Sequence, residues 1–279
     1  MRQNSENGKG EYVLATGAAA TNRLRILHDV YGPGTRQVLL QAGIKAGMRV
    51  ADLGCGTGMI TQLLAQLVGR TGEVIGVDYS ADQVIQAQAL LPAEMTNVRF
   101  VAASATETGL ARGSFDLVYC RFLLIHLKDP EAALSEMREL LKPGGIIVCE
   151  DGDLTSADSE PPSVLREFAN LFGALGPHWG VDYTLGRRLF QMVRAAGFRQ
   201  PKITLNQPVF ASGENKRLLE LSVAEAGPSF VRAGLLTDEE LAQTVAEMGR
   251  LSQDETVLAL MPRMSQVWAR KTGHLALVQ

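Results

Sequence analysis

Long apolar runs, basic clusters and cysteines are all scarce in this chain of 279 residues. None of its hydrophobic stretches approaches the roughly twenty residues that a membrane-spanning helix needs, so a membrane is not expected as a partner. Lys and Arg number 27 against 30 Asp and Glu, a formal net charge of −3. No segment gathers the positive charge that a phosphate backbone requires, which argues against nucleic acid. Three cysteines, an odd number, give no disulfide framework and fit a reducing, cytoplasmic setting. Residues 1–10 are polar and lack the apolar core of an export signal, so they read as a frayed terminus. What the chain does have is 46% hydrophobic residues, enough to fill a sizeable core, and 28 glycines.

Three of those glycines organise the rest. Residues 50–58 read Val-Ala-Asp-Leu-Gly-Cys-Gly-Thr-Gly, and an apolar-periodic run follows from Met59. A short strand thus ends at Asp52, and Gly54, Gly56 and Gly58 alternate before a helix begins. A residue without Cβ lets the backbone turn tightly and approach a ligand. The helix beyond offers unpaired N–H groups and a positive dipole end to whatever lies in the crevice. The dinucleotide fingerprint Gly-x-Gly-x-x-Gly does not fit, because its third place falls on Met59. Twenty residues after Gly58 a second apolar run ends in Asp78, whose carboxylate suits the two hydroxyls of a ribose.

The string Asp-x-Gly-x-Gly-x-Gly resembles motif I of the class I S-adenosylmethionine-dependent methyltransferases. Further strings carry the same resemblance: Gly-Ser-Phe-Asp-Leu-Val at 113–118, Arg-Phe-Leu-Leu-Ile-His-Leu at 121–127, and Leu-Lys-Pro-Gly-Gly at 141–145. Together they look like the small-molecule branch, near the quinone-biosynthesis enzymes. The resemblance implies S-adenosylmethionine as cofactor, with Asp52, Gly54, Gly56 and Gly58 at its methionine part and Asp78 on the ribose. Tyr79 and Gln83 would line the adenine side, and Ser104 and Ala105 would meet the adenine edge. An aspartate is usual where Ser104 stands, and a serine offers the adenine amine no charge assistance. Cys120 and Arg121, at the end of the fourth strand, complete the set, with Arg121 facing the methionine carboxylate or an acidic substrate.

Strands and helices alternate through the first half, the pattern of a doubly wound, mostly parallel α/β sheet. Strands are expected at 49–53, 74–77, 98–102, 115–120 and 146–150, then at 203–210 and 264–271. Two helices should precede them, 18–31 and 35–42, separated by Gly32-Pro33-Gly34. Ser80 and Gln83 form a capping box, and Asp129 with Pro130 opens another helix. Helices are also expected at 163–175 and 183–196, with 153–162 a loop. The family resemblance makes the last strand antiparallel. It divides the chain into an N-terminal helical cap at 1–35, a cofactor-binding core at 36–153, a lid at 154–181, and core completion at 182–210. A second helical lid at 211–258 and a final strand and tail at 259–279 follow.

Methyl transfer from a sulfonium requires positioning, desolvation and, for a hydroxyl acceptor, loss of a proton. His126 is the candidate base, since imidazole titrates near neutrality. His178 and Trp179 are candidates to stack on a flat substrate, and Tyr12, Arg23 and His28 to line the pocket from the N-terminal helices. Glu150, Asp151 and Asp153 form an acidic run that reads as a solvated loop or as a site for a cation or amine. No Cys-x-x-Cys spacing supports a metal. No Asn/Asp-Pro-Pro-aromatic string follows the fourth strand, which argues against methylation of base amines. A small organic acceptor, methylated on oxygen or carbon, is expected; a same-fold protein with a non-methylating reaction, or a nicotinamide-dependent oxidoreductase, are the other readings. A homodimer is left open.

Overall fold

The computed structural model describes residues 18–272, with side chains from Asn22 onward. Tyr12, the polar stretch 1–10 and the tail 273–279 lie outside the described residues. In chain order the elements are α1 (Ala18–Ala42), β1 (Arg49–Leu53), α2 (Met59–Val68), β2 (Glu73–Asp78), α3 (Ala81–Leu90), β3 (Val98–Ala102), β4 (Phe115–Arg121), α4 (Pro130–Leu140) and β5 (Leu141–Asp153). Then come β6 (Asp158–Glu160), α5 (Val164–Trp179), α6 (Leu189–Ala195), β7 (Arg199–Asn206), β8 (Val209–Phe210), α7 (Leu218–Arg232), α8 (Asp238–Gln253), β9 (Leu258–Leu260) and β10 (Arg263–Arg270).

Seven strands form one sheet in the order β3-β2-β1-β4-β5-β10-β7. The first five run parallel, and β10 inserts antiparallel between β5 and β7. Strand order reverses at β1 and β4, so a crevice opens at their carboxyl ends, where open α/β sheets take ligands. Side chains alternate across the sheet. One face (Val50, Val74, Leu117, Tyr119, Val148) packs on Val38 and Leu39 of α1 and on Leu64 and Val68 of α2. The other (Leu53, Val77, Val118, Ile147) packs with Leu134 and Met137 of α4 and Leu189 and Val193 of α6.

The departures from expectation have local causes. Residues 18–42 form one helix, not two, with Pro33 inside it. Proline removes one N–H but need not end a helix that is held by packing along its length. Here Tyr31, Val38 and Leu39 anchor both sides of Pro33, and the missing Cβ of Gly34 leaves room for the Asn206 side chain. The expected strand 203–210 is cut at Gln207-Pro208. Pro208 has no ladder donor, and Gln207 Nε2 donates to the carbonyls of Ser156 and Met261, both at 3.1 Å. Residues 209–210 therefore join a second, three-stranded antiparallel sheet, β6-β9-β8. Its β6 falls in the expected loop 153–162. The expected helix 183–196 is a 3-10 turn (Leu185–Arg187) followed by α6.

The acidic run after the fifth strand is not a solvated loop. β5 continues to Asp153, and Glu150, Asp151 and Asp153 are all buried. Each has its own partners: Tyr119 Oη (2.5 Å) and Gln266 Nε2 (2.6 Å) donate to Glu150, Leu124 N to Asp151 (2.8 Å), and Arg187 Nε to Asp153 (2.7 Å).

Candidate active site

A cavity of about 280 Å³ occupies the crevice. Its floor is the glycine loop. Gly54, Gly56 and Gly58 have φ of 72°, 52° and 79°, in the left-handed region that residues with a Cβ rarely adopt. A Cβ on Gly58 would also sit 2.8 Å from Phe100 Cζ, and one on Gly54 2.9 Å from Leu123 Cδ1. The loop therefore needs glycine for conformation and for space.

Two carboxylates border this floor. Asp78 Oδ2 accepts from Gly56 N at 2.8 Å and Oδ1 from Ser80 N at 3.0 Å, which fixes the acid against the loop. Burial raises its pKa, opposed by those N–H groups. Asp52 accepts from Thr61 Oγ1 at 2.6 Å, and burial lifts its pKa to about 7 despite that bond and the nearby Arg121 charge. Gln83 lines the cavity 6% exposed, and its Oε1 is buried without a partner. Such an orphan acceptor costs about 1–3 kcal/mol unless a ligand donor meets it. Tyr79 also lines the cavity, with 73% of its surface exposed at the mouth. An unpaired acceptor, a glycine cradle and a carboxylate held against it suit a purine nucleoside cofactor.

A methyltransferase-domain family model matches residues 44–184. The chain belongs to the class I S-adenosylmethionine-dependent methyltransferases. Demethylmenaquinone methyltransferase from Staphylococcus aureus is 32% identical over 166 residues, 60% of this chain and 67% of that one. Among solved structures, the YcgJ protein of Bacillus subtilis aligns with a TM-score of 0.59 at 19% identity, covering 88% of this chain and 99% of that one. The [4+2]-cyclase SpnF aligns at 0.53 and 18%, covering 96% and 86%. Those two likenesses concern the fold.

The methyltransferase's cavity continues upward from the loop. Leu165, Phe168, Ala169 and Phe172 of α5 face it, at the i, i+3, i+4, i+7 spacing of one helix face. Leu218, Leu219, Ser222, Val223 and Ala226 of α7 face it from the other side. Phe172 meets Tyr183 (5.4 Å between centroids), Phe168 (5.6 Å) and Phe230 (5.1 Å), an aromatic roof. An enclosure of this size admits a small-molecule acceptor, and the enzyme transfers its methyl group to one.

His126 lines the cavity from the turn after β4, edge-on to Tyr183 at 5.8 Å. Burial and the positive charge of Arg23 press its pKa down to about 4, so the ring is neutral at pH 7. Arg121 also lines the cavity, donating to Thr35 Oγ1 at 3.2 Å. Arg23 does so from α1, held by Glu225 of α7 through Nε–Oε2 at 2.5 Å. Glu225 was not singled out from sequence, whereas the lid segments 154–181 and 211–258 were, and their apolar residues Leu165, Phe168, Phe172 and Leu218 line the cavity.

Six expected site residues stand elsewhere, and Gly58, though part of the glycine loop, is not in the lining. Cys120 does not line the cavity: it faces the opposite side of β4 and lies beside Cys149, whose hydrogen bond, together with burial, raises its pKa. Register decides this, since Tyr119 and Arg121 take the cavity-facing places. Ser104 and Ala105 also lie outside the lining. Ser104 Oγ is bound to Thr106 Oγ1 at 2.8 Å, in a turn that closes on Glu107. His178 and Trp179 sit at the far end of α5, two turns beyond Phe172. His178 is exposed, and Trp179 packs at the cluster edge with Arg232 over its ring at 5.8 Å. His28, likewise, is not in the lining.

Proposed function

We propose that this enzyme methylates a flat, largely apolar organic acceptor on oxygen or carbon, under a roof made by residues 154–181 and 211–258. The observation that carries the reading is the single cavity that runs from the glycine loop to the aromatic face of α5. S-adenosylmethionine, when bound, supplies a methyl group already activated as a sulfonium. The chain's own residues then position and desolvate. Asp52 and the loop at Gly54, Gly56 and Gly58 hold the methionine end. Asp78 takes the ribose hydroxyls, and Tyr79 and Gln83 flank the adenine. His126, neutral at pH 7, accepts the proton of an acceptor hydroxyl. Leu165, Phe168, Phe172 and Leu218 keep water from the reacting atoms. Three free cysteines fit a cytoplasmic enzyme.

Calorimetry with S-adenosylhomocysteine tests the cofactor half. Folded wild-type protein should bind it, and Asp78→Ala should weaken binding by roughly ten- to a hundredfold, the loss of one or two charged hydrogen bonds. Incubation with S-adenosylmethionine and a panel of small phenols, quinols and amines tests the rest, read as S-adenosylhomocysteine released. Conversion of an acceptor without release would favour the non-methylating reading.

A further inference from the structure

Gln83 lines the cavity from the first turn of α3 and keeps only 6% of its surface exposed. Its Oε1 is buried and has no hydrogen-bond partner. The main chain beside it is fully engaged. Gln83 N donates to Ser80 Oγ at 3.3 Å, and Ser80 N donates to Asp78 Oδ1 at 3.0 Å. One capping turn thus sets the Gln83 amide and the Asp78 carboxylate along the same wall. A buried amide oxygen without a donor is costly, so this atom suits a ligand that brings an N–H or O–H to it.

The turn after β3 offers a base no comparable acceptor. An aspartate is usual where Ser104 stands. Here Ser104 lies outside the lining, and its Oγ is taken up by Thr106, through Oγ1 at 2.8 Å and N at 3.2 Å. S-adenosylhomocysteine carries three kinds of donor. Its ammonium belongs with the methionine end, at Asp52 and the glycine loop, and its two ribose hydroxyls belong with Asp78. The 6-amino group of adenine remains. An amide places an acceptor beside a donor, and adenine places an amine beside a ring nitrogen, the pairing by which glutamine reads adenine in DNA.

We propose that Gln83, through Oε1, accepts the 6-amino group of the cofactor's adenine, so that the first turn of α3, and not the turn after β3, selects for that amine. This rests on the cofactor reading of the same cavity. Selection for the amine is then carried by a neutral amide, and the residue at position 104 is silent toward the cofactor.

The test measures two ligands by calorimetry on the whole protein. One is S-adenosylhomocysteine, and the other is its purine-riboside analogue, in which hydrogen replaces the 6-amino group. Wild type should prefer the adenine ligand by roughly tenfold, the value of one hydrogen bond to a buried acceptor. Gln83→Leu keeps the capping N–H and much of the side-chain volume, and it should bind the two ligands without preference. Gln83→Glu retains an acceptor at the same reach and should keep or widen the preference, because a carboxylate accepts more strongly. Ser104→Ala and Ser104→Asp should leave the wild-type ratio as it is.

Equal binding of the two ligands to wild type would overturn the proposal. So would a preference that survives Gln83→Leu, which would mean that Oε1 meets a ribose hydroxyl or that Gln83 only packs. A ratio altered by either Ser104 substitution would return adenine recognition to the turn after β3. All three results leave the cofactor reading standing. Failure of folded wild type to bind S-adenosylhomocysteine at all would instead remove that reading, and this proposal with it.

Discussion

His126 passes from about 6.5 in an unfolded chain to about 4 here, and that shift must appear in the pH dependence of stability. Between those values the unfolded chain binds a proton that the folded ring refuses. The contribution of His126 is therefore complete above about pH 6.5 and is lost as the pH falls toward 4. Asp52 and Asp151 act in the opposite sense. Burial raises both from 3.8 to about 7, so their contribution is present at low pH and lost as pH rises through 7. His126→Asn should remove one side of this balance. Its urea-unfolding free energy should fall less on acidification from about pH 7 to about pH 4.5 than that of wild type, by up to roughly 3 kcal/mol. Parallel pH profiles for the two proteins would mean that the ring titrates normally. Of the residues expected at the site, those set by backbone pattern, such as Asp52 and Asp78 at strand ends with Gly54 and Gly56 between, line the cavity. Cys120 and Ser104 lie outside the lining because a strand's facing, or a turn's private hydrogen bond, depends on partners that the local string does not contain.

At the scale of elements, the parallel core was readable because its strands are short apolar runs with clear stops. The predicted limits of β1 and β3 coincide with those in the structure. The reading weakened where long-range contacts override local signals: the uninterrupted α1, the break at Pro208, and the small second sheet whose strands are only two or three residues long. The segment between α5 and α6 shows the same dependence. Gly186 lies so close to the end of β5 that a Cβ would be 2.7 Å from the Asp151 carbonyl oxygen and 2.8 Å from that of Gly152. Its own carbonyl accepts from Ser265 Oγ of β10 at 2.6 Å. Both obstacles are backbone and cannot rotate away. Gly186→Ala should therefore lower stability by about 2–4 kcal/mol, beyond the usual 1–3 kcal/mol of core overpacking, and lower the urea midpoint accordingly. A midpoint within experimental error of wild type would show that the turn can move off β5 freely.

At the scale of the whole molecule, the question is how an acceptor reaches a cavity whose walls are helices. The segments at 154–181 and 211–258 are tied down at their ends. Lys216 Nζ donates to the carbonyls of Ala211 (3.1 Å), Asp254 (2.5 Å) and Val257 (2.7 Å), which closes both ends of the second segment together. The second sheet joins β6 of the first segment to β9, beside the end of the second. Between these anchors the contacts are of another kind: side-chain packing of Phe168, Phe172 and Phe230 around the cavity, with no ladder to the seven-stranded sheet. Helices held mostly by side-chain packing, with the Arg23–Glu225 pair as the tie of α7 to α1, open locally at lower free energy than central strands. Without ligand, amides of α5 and α7 should exchange faster than those of β1 to β5. S-adenosylhomocysteine together with an acceptor analogue should slow α5 and α7 more than either alone, because the two ligands fill adjoining halves of one cavity and the roof packs on both. Mass-resolved hydrogen exchange over 154–181 and 211–258 measures this directly. Exchange there as slow as in the sheet, and unchanged by ligands, would make these segments fixed walls, and the acceptor would then have to enter through the mouth at Tyr79.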